Sequence, residues 1–316
     1  MRPFVSVCIT TFSRRDQAVL AIKSALSQTY KPIEIIVVED GSDSGIKEWI
    51  DEEQLLEVVY IKHKKRMGLA TARNTGIIHA KGKYIAFLDD DDEWTDRKIE
   101  KQILLFEELD ESYAIVYCGI ENLESDHYSS IGRPSIRGNL RDEIVRNGLY
   151  TIPSTNVFRK SVLVSIGGLD TDLETGVDHD LWMKIASNGY YVDYVDEPLT
   201  KHISYNIPQM TTDSSKRIVG IQKYLKKWEP TIYDWLGDKK GRKYCLDYYA
   251  SVIGNLGFSL VKKGSALEGR YVLWKAFIKS PKVFLLNPAL LLVMVFGRAG
   301  YDFGKHMHRI FKKYAN

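Results

Sequence analysis

The chain has 316 residues, 44% of them hydrophobic and 27% charged, which suits one large α/β domain with an appendage or two domains and excludes a disordered or low-complexity chain. The net charge of +3 hides a division: residues 1–200 hold 23 Lys and Arg against 34 Asp and Glu, and residues 201–316 hold 21 against 7. An acidic half suits a cation and a basic half an anionic partner, while three distant cysteines, Cys8, Cys118 and Cys245, match neither a disulfide framework nor a zinc site and point to a reducing compartment.

In chain order, residues 4–11 form a β-branched run, with no apolar leader before them that reads as a signal peptide. Residues 16–28 carry a helical pattern with Val19, Ile22 and Leu26 on one face. Residues 33–38 are a continuous apolar strand that ends in Glu39-Asp40-Gly41-Ser42, and residues 55–61 are the next strand. A helix over 69–79 precedes a strand over 84–88, which ends in four aspartates. Residues 95–109 form an amphipathic helix with Ile99, Ile103, Leu104 and Phe106. Continuous apolar strands separated by helices predict a parallel sheet covered on both faces. Ligands of such sheets bind beyond the carboxyl ends of the strands.

Further strands are expected over 113–120, 154–158 and 190–195, and helices over 139–147 and 178–186, the latter ended by Gly189. The change in charge sign places a domain boundary near 205–215, giving parts 1–210 and 211–316. The second part reads as helices over 214–228, 240–262 and 266–278. Residues 283–296 are apolar but interrupted by Asn287 and Pro288, and fall short of the roughly 20 residues that a spanning helix needs. Basic residues interleaved with aromatics follow them, the composition of a segment that lies on an anionic membrane surface. The plainer explanation is that residues 290–296 pack inside the protein.

The strand ends carry the candidate chemistry. Asp89 to Asp92 repel one another and gain from a cation. Strand alternation turns Asp89 and Asp91 to one side and Asp90 and Asp92 to the other. Mg²⁺ or Mn²⁺ suits such a site, since these ions take one or two carboxylates and complete their shell with phosphates and water. Asp40 can accept a hydrogen bond from a nucleobase, or simply cap a turn. Arg73 can hold a diphosphate or pair with Asp40 or the acidic cluster. Asp178 sits in the first turn of a helix, where a carboxylate is favoured anyway; it can also act as a general base on a hydroxyl.

Seven segments in this order resemble the family 2 glycosyltransferases of GT-A fold: V-S-V-C-I-T-T-F (5–12), S-A-L-S-Q-T-Y (24–30), I-E-I-I-V-V-E-D-G-S (33–42), G-L-A-T-A-R-N-T-G (68–76), Y-I-A-F-L-D-D-D-D-E-W (84–94), G-G-L-D (167–170) and V-D-H-D-L-W-M-K (177–184). The resemblance implies a GT-A nucleotide-sugar-binding domain, a mostly parallel sheet flanked by helices, followed by a helical C-terminal region. It implies a nucleotide-sugar donor, a UDP-sugar first, held by Thr10, Phe12, Asp40, Arg73, Asp89 and Asp90. It implies Mn²⁺ or Mg²⁺ on Asp89 and Asp91 in a D-x-D motif, and Asp178 as the catalytic base of an inverting transfer. The family's usual Glu-Asp pair is Val177-Asp178 here. The Q-x-x-R-W motif of processive members is absent, which implies single addition. Many relatives act on lipid-linked or cell-envelope glycans, so a lipid-linked acceptor, peripheral membrane contact through the C-terminal tail and a place at the cytoplasmic face of the membrane are expected. A sugar-phosphate nucleotidyltransferase would want glycines where Ser13-Arg14-Arg15 stands. The sequence is also compatible with an inactive nucleotide-sugar-binding homologue, and with a nucleic-acid-binding protein that uses the basic half. No nucleic-acid motif is recognised, however, and no nucleic-acid partner is expected.

Overall fold

The computed structural model describes residues 2–123, 129–147, 151–203 and 214–304. The chain divides into two compact units, Met1–Ile207 and Pro208–Asn316.

The first unit begins with strand β1 (Val5–Thr11), helix α1 (Arg15–Leu26), β2 (Ile33–Glu39), α2 (Ile46–Glu52), β3 (Val58–Lys62), α3 (Leu69–His79) and β4 (Tyr84–Asp89). It continues with β5 (Asp92–Trp94), α4 (Lys98–Glu108), β6 (Tyr113–Leu123), β7 (Ser129–Gly132), β8 (Gly138–Asn139) and α5 (Leu140–Asn147). A 3₁₀ turn (Pro153–Thr155) leads to β9 (Val157–Arg159), α6 (Lys160–Ser165), α7 (Val177–Ser187) and β10 (Tyr191–Ile203). The strands form one sheet in the order β3-β2-β1-β4-β9-β6-β10-β5, with β7 beside β6 and β8 beside β10.

The sheet is mixed rather than wholly parallel. β3, β2, β1 and β4 are parallel neighbours, as are β6 and β10. The three-residue β9 runs antiparallel between β4 and β6, and β5 runs antiparallel to β10. Every residue of β1 is buried, Ser6, Thr10 and Thr11 included, as suits a β-branched strand covered on both faces. The α1 face that packs on the sheet is Ala18, Ala21, Ile22 and Ala25; Val19 and Leu26 lie at its edge. On α4 the buried side is Ile99, Ile103 and Phe106 together with Lys98 and Gln102, whereas Leu104 is exposed. Phe106 stacks on Tyr84 with ring centroids 4.7 Å apart.

The second unit comprises α8 (Ser214–Leu236), α9 (Asp238–Lys262), α10 (Ala266–Lys279), α11 (Pro281–Leu286) and α12 (Pro288–Phe296). Helix α8 runs through Pro230 instead of stopping before it. Proline removes one helical hydrogen bond, but Trp228 and Ile232, one turn apart, are both buried and hold the helix on its neighbours. Of the apolar residues 283–296, Phe284, Leu290, Val293 and Met294 are buried, so part of that stretch packs within the unit. Its basic continuation from residue 305 lies outside the described residues. Among the described residues no helix is long and apolar enough to cross a membrane.

Candidate functional site

Parallel register brings the expected strand ends together. Thr10 of β1 lies between Val38 of β2 and Asp89 of β4. Asp40 follows directly, its amide donating to the Thr11 carbonyl at 2.9 Å. Gly41 then turns at φ +77°, and a Cβ there would fall 2.1 Å from the Arg66 amide nitrogen, so only glycine lets these two backbones meet. An open pocket of about 460 Å³ lies against this turn, lined by Gly41, Ser42, Asp43, Lys62, His63 and Lys64.

Asp40 is buried and already engaged. One carboxylate oxygen accepts from the Met67 amide and contacts His63 Nδ1, both at 2.8 Å, and the other accepts from the Gly68 amide at 2.8 Å. The Asp40 side chain therefore fixes the entry to α3. A carboxylate has about four lone-pair sites, so one remains on the second oxygen for a ligand. Glu39 does similar work on the following turn: it accepts from Ser42 Oγ, the Ser44 amide and Tyr60 Oη. Burial opposes its charge, but these donors prevail and hold its carboxyl below the usual range. The face of Phe12 is covered by the Arg66 guanidinium, 4.3 Å from the ring centre.

Burial alternates along the acidic residues as expected, although Asp90 and Asp91 form the turn between β4 and β5 and not a continued strand. The side chains of Asp89 and Asp91 are 28% and 15% exposed, against 3% for Asp90 and 2% for Asp92. Asp90 thus faces inward, against Arg14. Burial pushes its carboxyl up to about 7 against the pull of Arg14, and its Oδ2 has no hydrogen-bond partner among the described residues. Asp92 is tied to His202 Nδ1 at 2.7 Å; burial raises the Asp92 carboxyl, and that hydrogen bond raises His202. The Asp89 amide donates to Ser154 Oγ at 3.0 Å, which anchors the strand end to the 3₁₀ turn.

Two arginines span the cluster. Ser13, at φ +56°, reverses the chain after β1, and Arg14 returns to Asp91 at 2.7 Å and Asp90 at 3.3 Å. Arg73, from the buried side of α3, meets Asp89 Oδ1 at 2.6 Å and also Asp178 Oδ1. It is 1% exposed. Burial works against its charge, but Asp178 and Asp89 outweigh burial and raise its pKa, so the guanidinium stays protonated. Asp178 stands in the first turn of α7, after Gly176 in a left-handed conformation, with Val177 buried beside it.

The next residue of α3 sets where α7 begins. Asn74 donates to the Leu169 carbonyl and accepts from the Leu169 amide, each at 2.9 Å. Gly168 has φ +67°, and a Cβ there would lie 2.6 Å from Asn74 Oδ1. Lys184 Nζ of α7 donates to the Gly168 carbonyl at 2.9 Å. Helix α3 therefore joins the Asp40 turn at its N-terminus to Asp89 and Asp178 along its length. Sequence reasoning missed Arg14, His63, Arg66, Asn74 and Ser154. Arg14 and Asn74 stand in or next to the quoted segments, but their partners lie far away in the sequence.

The profile described as glycosyl transferase family 2 matches residues 6–167, just over half of the chain. The chain belongs to this family. An uncharacterized glycosyltransferase of Rickettsia felis is 31% identical over 235 residues, which is 72% of this chain but 38% of that protein, so the chain spans well under half of that relative's length. An Escherichia coli protein named UDP-Glc:alpha-D-GlcNAc-diphosphoundecaprenol beta-1,3-glucosyltransferase is 42% identical over 103 residues, 33% of this chain and 41% of that one. In fold, the chain resembles S. aureus TarS residues 1–349 with a TM-score of 0.62 at 17% identity, covering 94% of this chain and 87% of that one. It also resembles a mannosyltransferase of Pyrobaculum calidifontis solved with GDP-Man and Mn²⁺, with a TM-score of 0.57 at 18% identity over 93% and 81% of the two chains. The GT-A fold expected from the family 2 glycosyltransferase segments is thus the fold of this family member.

Proposed function

We propose that this family 2 enzyme moves a sugar from a nucleotide sugar, a UDP-sugar in the first instance, onto a hydroxyl of a lipid-linked or cell-envelope glycan, with inversion. The observation that carries the reading is the pairing of one buried guanidinium, Arg73, with both Asp89 and Asp178. It joins the acidic strand end to a carboxylate from a distant helix at the carboxyl edge of the sheet, where ligands of such sheets bind. In this reading Thr10, Phe12 and Asp40 border the nucleoside, and Asp178 takes the proton of the acceptor hydroxyl. The acceptor oxygen bonds to the anomeric carbon as the bond to the nucleoside diphosphate breaks, and the diphosphate leaves with the electron pair. A poor nucleophile such as a sugar hydroxyl needs that positioned base.

The donor set fits Mn²⁺ or Mg²⁺. Arg73 meets Oδ1 of Asp89 and Arg14 meets Oδ2 of Asp91, which leaves the second oxygen of each for a hard cation. No group of three potential protein ligands gathers among the described residues; Mn²⁺ or Mg²⁺ held by two carboxylates would complete its shell with phosphate and water. When bound, the ion would neutralise charge on the departing diphosphate.

The lipid-linked acceptor is supported by the name of the E. coli relative and by the basic second unit, which would contact the cytoplasmic face of the membrane. The test is thermal unfolding with UDP-, GDP- and dTDP-sugars, each with and without Mn²⁺, since a ligand bound only by the folded state raises Tm. A UDP-sugar should raise Tm in a Mn²⁺-dependent way, and Asp91→Asn should remove the Mn²⁺-dependent part. Failure of every nucleotide sugar to stabilise the protein would overturn the reading.

A further inference from the structure

Helix α10 is apolar on two opposite sides. Its inner side, Gly269, Val272, Leu273 and Ala276, is buried. Gly269 meets Gly257 of α9 so closely that a Cβ on Gly269 would lie 2.6 Å from the Gly257 carbonyl oxygen. Its outer side carries Leu267, Tyr271, Trp274 and Ile278, which are 84%, 59%, 46% and 73% exposed. At 100° per residue these four fall within an arc of about 60° opposite the buried set, a stripe about 17 Å long. No described residue of the second unit covers it. A helix with apolar stripes on two opposite sides needs apolar cover on both, and the second unit supplies only one of them.

The surroundings say what the other environment is. From residue 262 to 304 the sequence holds seven Lys and Arg and two acidic residues. Both acids are engaged: Glu268 accepts from Ser214 Oγ, and Asp302 pairs with Arg298 at 3.2 Å. Lys275 borders the stripe with its ammonium 4.4 Å from the centre of the Tyr271 ring, and Lys279 and Lys282 are exposed close by in sequence. An aliphatic and aromatic stripe with a lysine rim matches the boundary of an anionic bilayer. There the rings and aliphatic groups enter the headgroup layer and the ammonium groups stay at the phosphates. A second copy of the chain is the poorer occupant, because a two-fold contact along this stripe would bring the same lysine rims against each other.

We propose that the outer face of α10 is the surface by which this protein docks on an anionic lipid bilayer, with the helix lying parallel to the membrane plane. This deepens the membrane part of the reading above, but it assigns the contact to residues 267–278 and not to the C-terminal tail, and it does not depend on the chemistry of the first unit.

The test is sedimentation of the full-length protein with vesicles of phosphatidylcholine alone and of phosphatidylcholine with phosphatidylglycerol. The unaltered protein should bind the anionic vesicles and release them at high salt. The variant carrying Leu267→Ser, Trp274→Ser and Ile278→Ser should lose about tenfold or more of that partitioning. Its far-UV circular dichroism and its thermal shift with a nucleotide sugar should be unchanged, which separates lost docking from lost folding. A second variant, Lys275→Glu with Lys279→Glu, should lose the preference for anionic over neutral vesicles. Anionic-vesicle binding that neither variant alters would overturn the assignment to α10 and leave the tail as the contact. Absence of vesicle binding by the unaltered protein would overturn the assignment and the membrane reading together while leaving the glycosyltransferase reading standing. A dimer that the serine variant dissociates, without vesicle binding, would make the face a subunit interface instead.

Discussion

Replacing Arg73 by methionine tests whether the guanidinium shared by Asp89 and Asp178 organises the site or merely fills space. Methionine keeps most of the volume against Phe87, whose ring centre is 5.5 Å from the guanidinium carbon. It leaves two carboxylates without their common cation. Breaking a buried ion pair from one side costs about 3–5 kcal/mol. Here both carboxylates are about a third exposed, so water screens them and a loss of about 2 kcal/mol is expected. The effect on turnover is expected to be larger. Without Arg73, Asp178 is no longer tied to the acidic strand end, and a misplacement of about 1 Å lowers kcat by about 100-fold. The donor KM should move less, because Asp89 keeps its backbone anchor on Ser154 while Asp178 loses its tie to the strand end. Arg73→Lys should restore stability but not kcat, since an ammonium is a single point charge and cannot hold two carboxylates as a planar fork does. Initial rates at saturating donor and acceptor, with thermal unfolding of the same preparations, give both quantities. A variant that unfolds earlier yet keeps its kcat would refute the positioning role. Loss of donor affinity with unchanged kcat would mean that Arg73 serves the donor.

Two further predictions concern the frame around the site. Lys98 is fully buried, its Nζ lies 4.0 Å from the centre of the Trp94 ring without a hydrogen-bond partner among the described residues, and burial lowers its pKa from 10.5 to about 8. Below pH 8 the lysine is protonated in folded and unfolded chains alike, and the folded state bears a burial penalty of about 3 kcal/mol. Between pH 8 and 10.5 the unfolded chain holds more protons, so stability should rise with pH. Lys98→Met should therefore be the more stable protein at pH 7 in urea denaturation, with the gap closing by pH 10.5; a variant less stable at pH 7 would contradict this. Gly168→Ala should cost about 2 kcal/mol and slow transfer, because it combines a left-handed φ with a clash on Asn74. Gly167→Ala shares the positive φ but meets nothing within 4 Å, so equal losses in the two variants would rule out the clash.

How much was legible depends on how local the cause is. The strands over 33–38 and 84–88 are buried on both faces, so composition alone marks them, and parallel register then fixes Thr10, Asp40 and Asp89 on one edge. The strand Asp92–Trp94 was hidden because its partners, Thr200 and His202, lie far along the chain. Of the strand expected over 154–158, only Val157 and Phe158 fall in the antiparallel Val157–Arg159, because Pro153–Thr155 closes into a 3₁₀ turn instead. Lys98 heads a helix whose pattern puts lysine in solvent, and only the sheet above it decides otherwise. At the site, Asp90 and Asp92 are buried and Asp89 and Asp91 are more exposed, as strand alternation would have it, but Asp90 and Asp91 form the turn between β4 and β5, so the turn and not a strand sets the pattern. Arg73 was expected on the donor or the acidic cluster; its second partner, Asp178, is a tertiary pairing that no local pattern encodes. On α10 apolar residues stand on two opposite sides, and only packing shows which side the second unit covers.

The central claim is that Asp178 is the base at a site shared with Asp89. It is tested most directly by comparing Asp178→Asn with the unaltered protein for transfer at saturating substrates and for donor affinity by calorimetry with Mn²⁺. A base in that position predicts a fall in kcat of about a thousandfold, within the range a general base contributes, with the donor Kd essentially unchanged. Turnover that survives the substitution, or donor affinity that falls as far as turnover does, would contradict it.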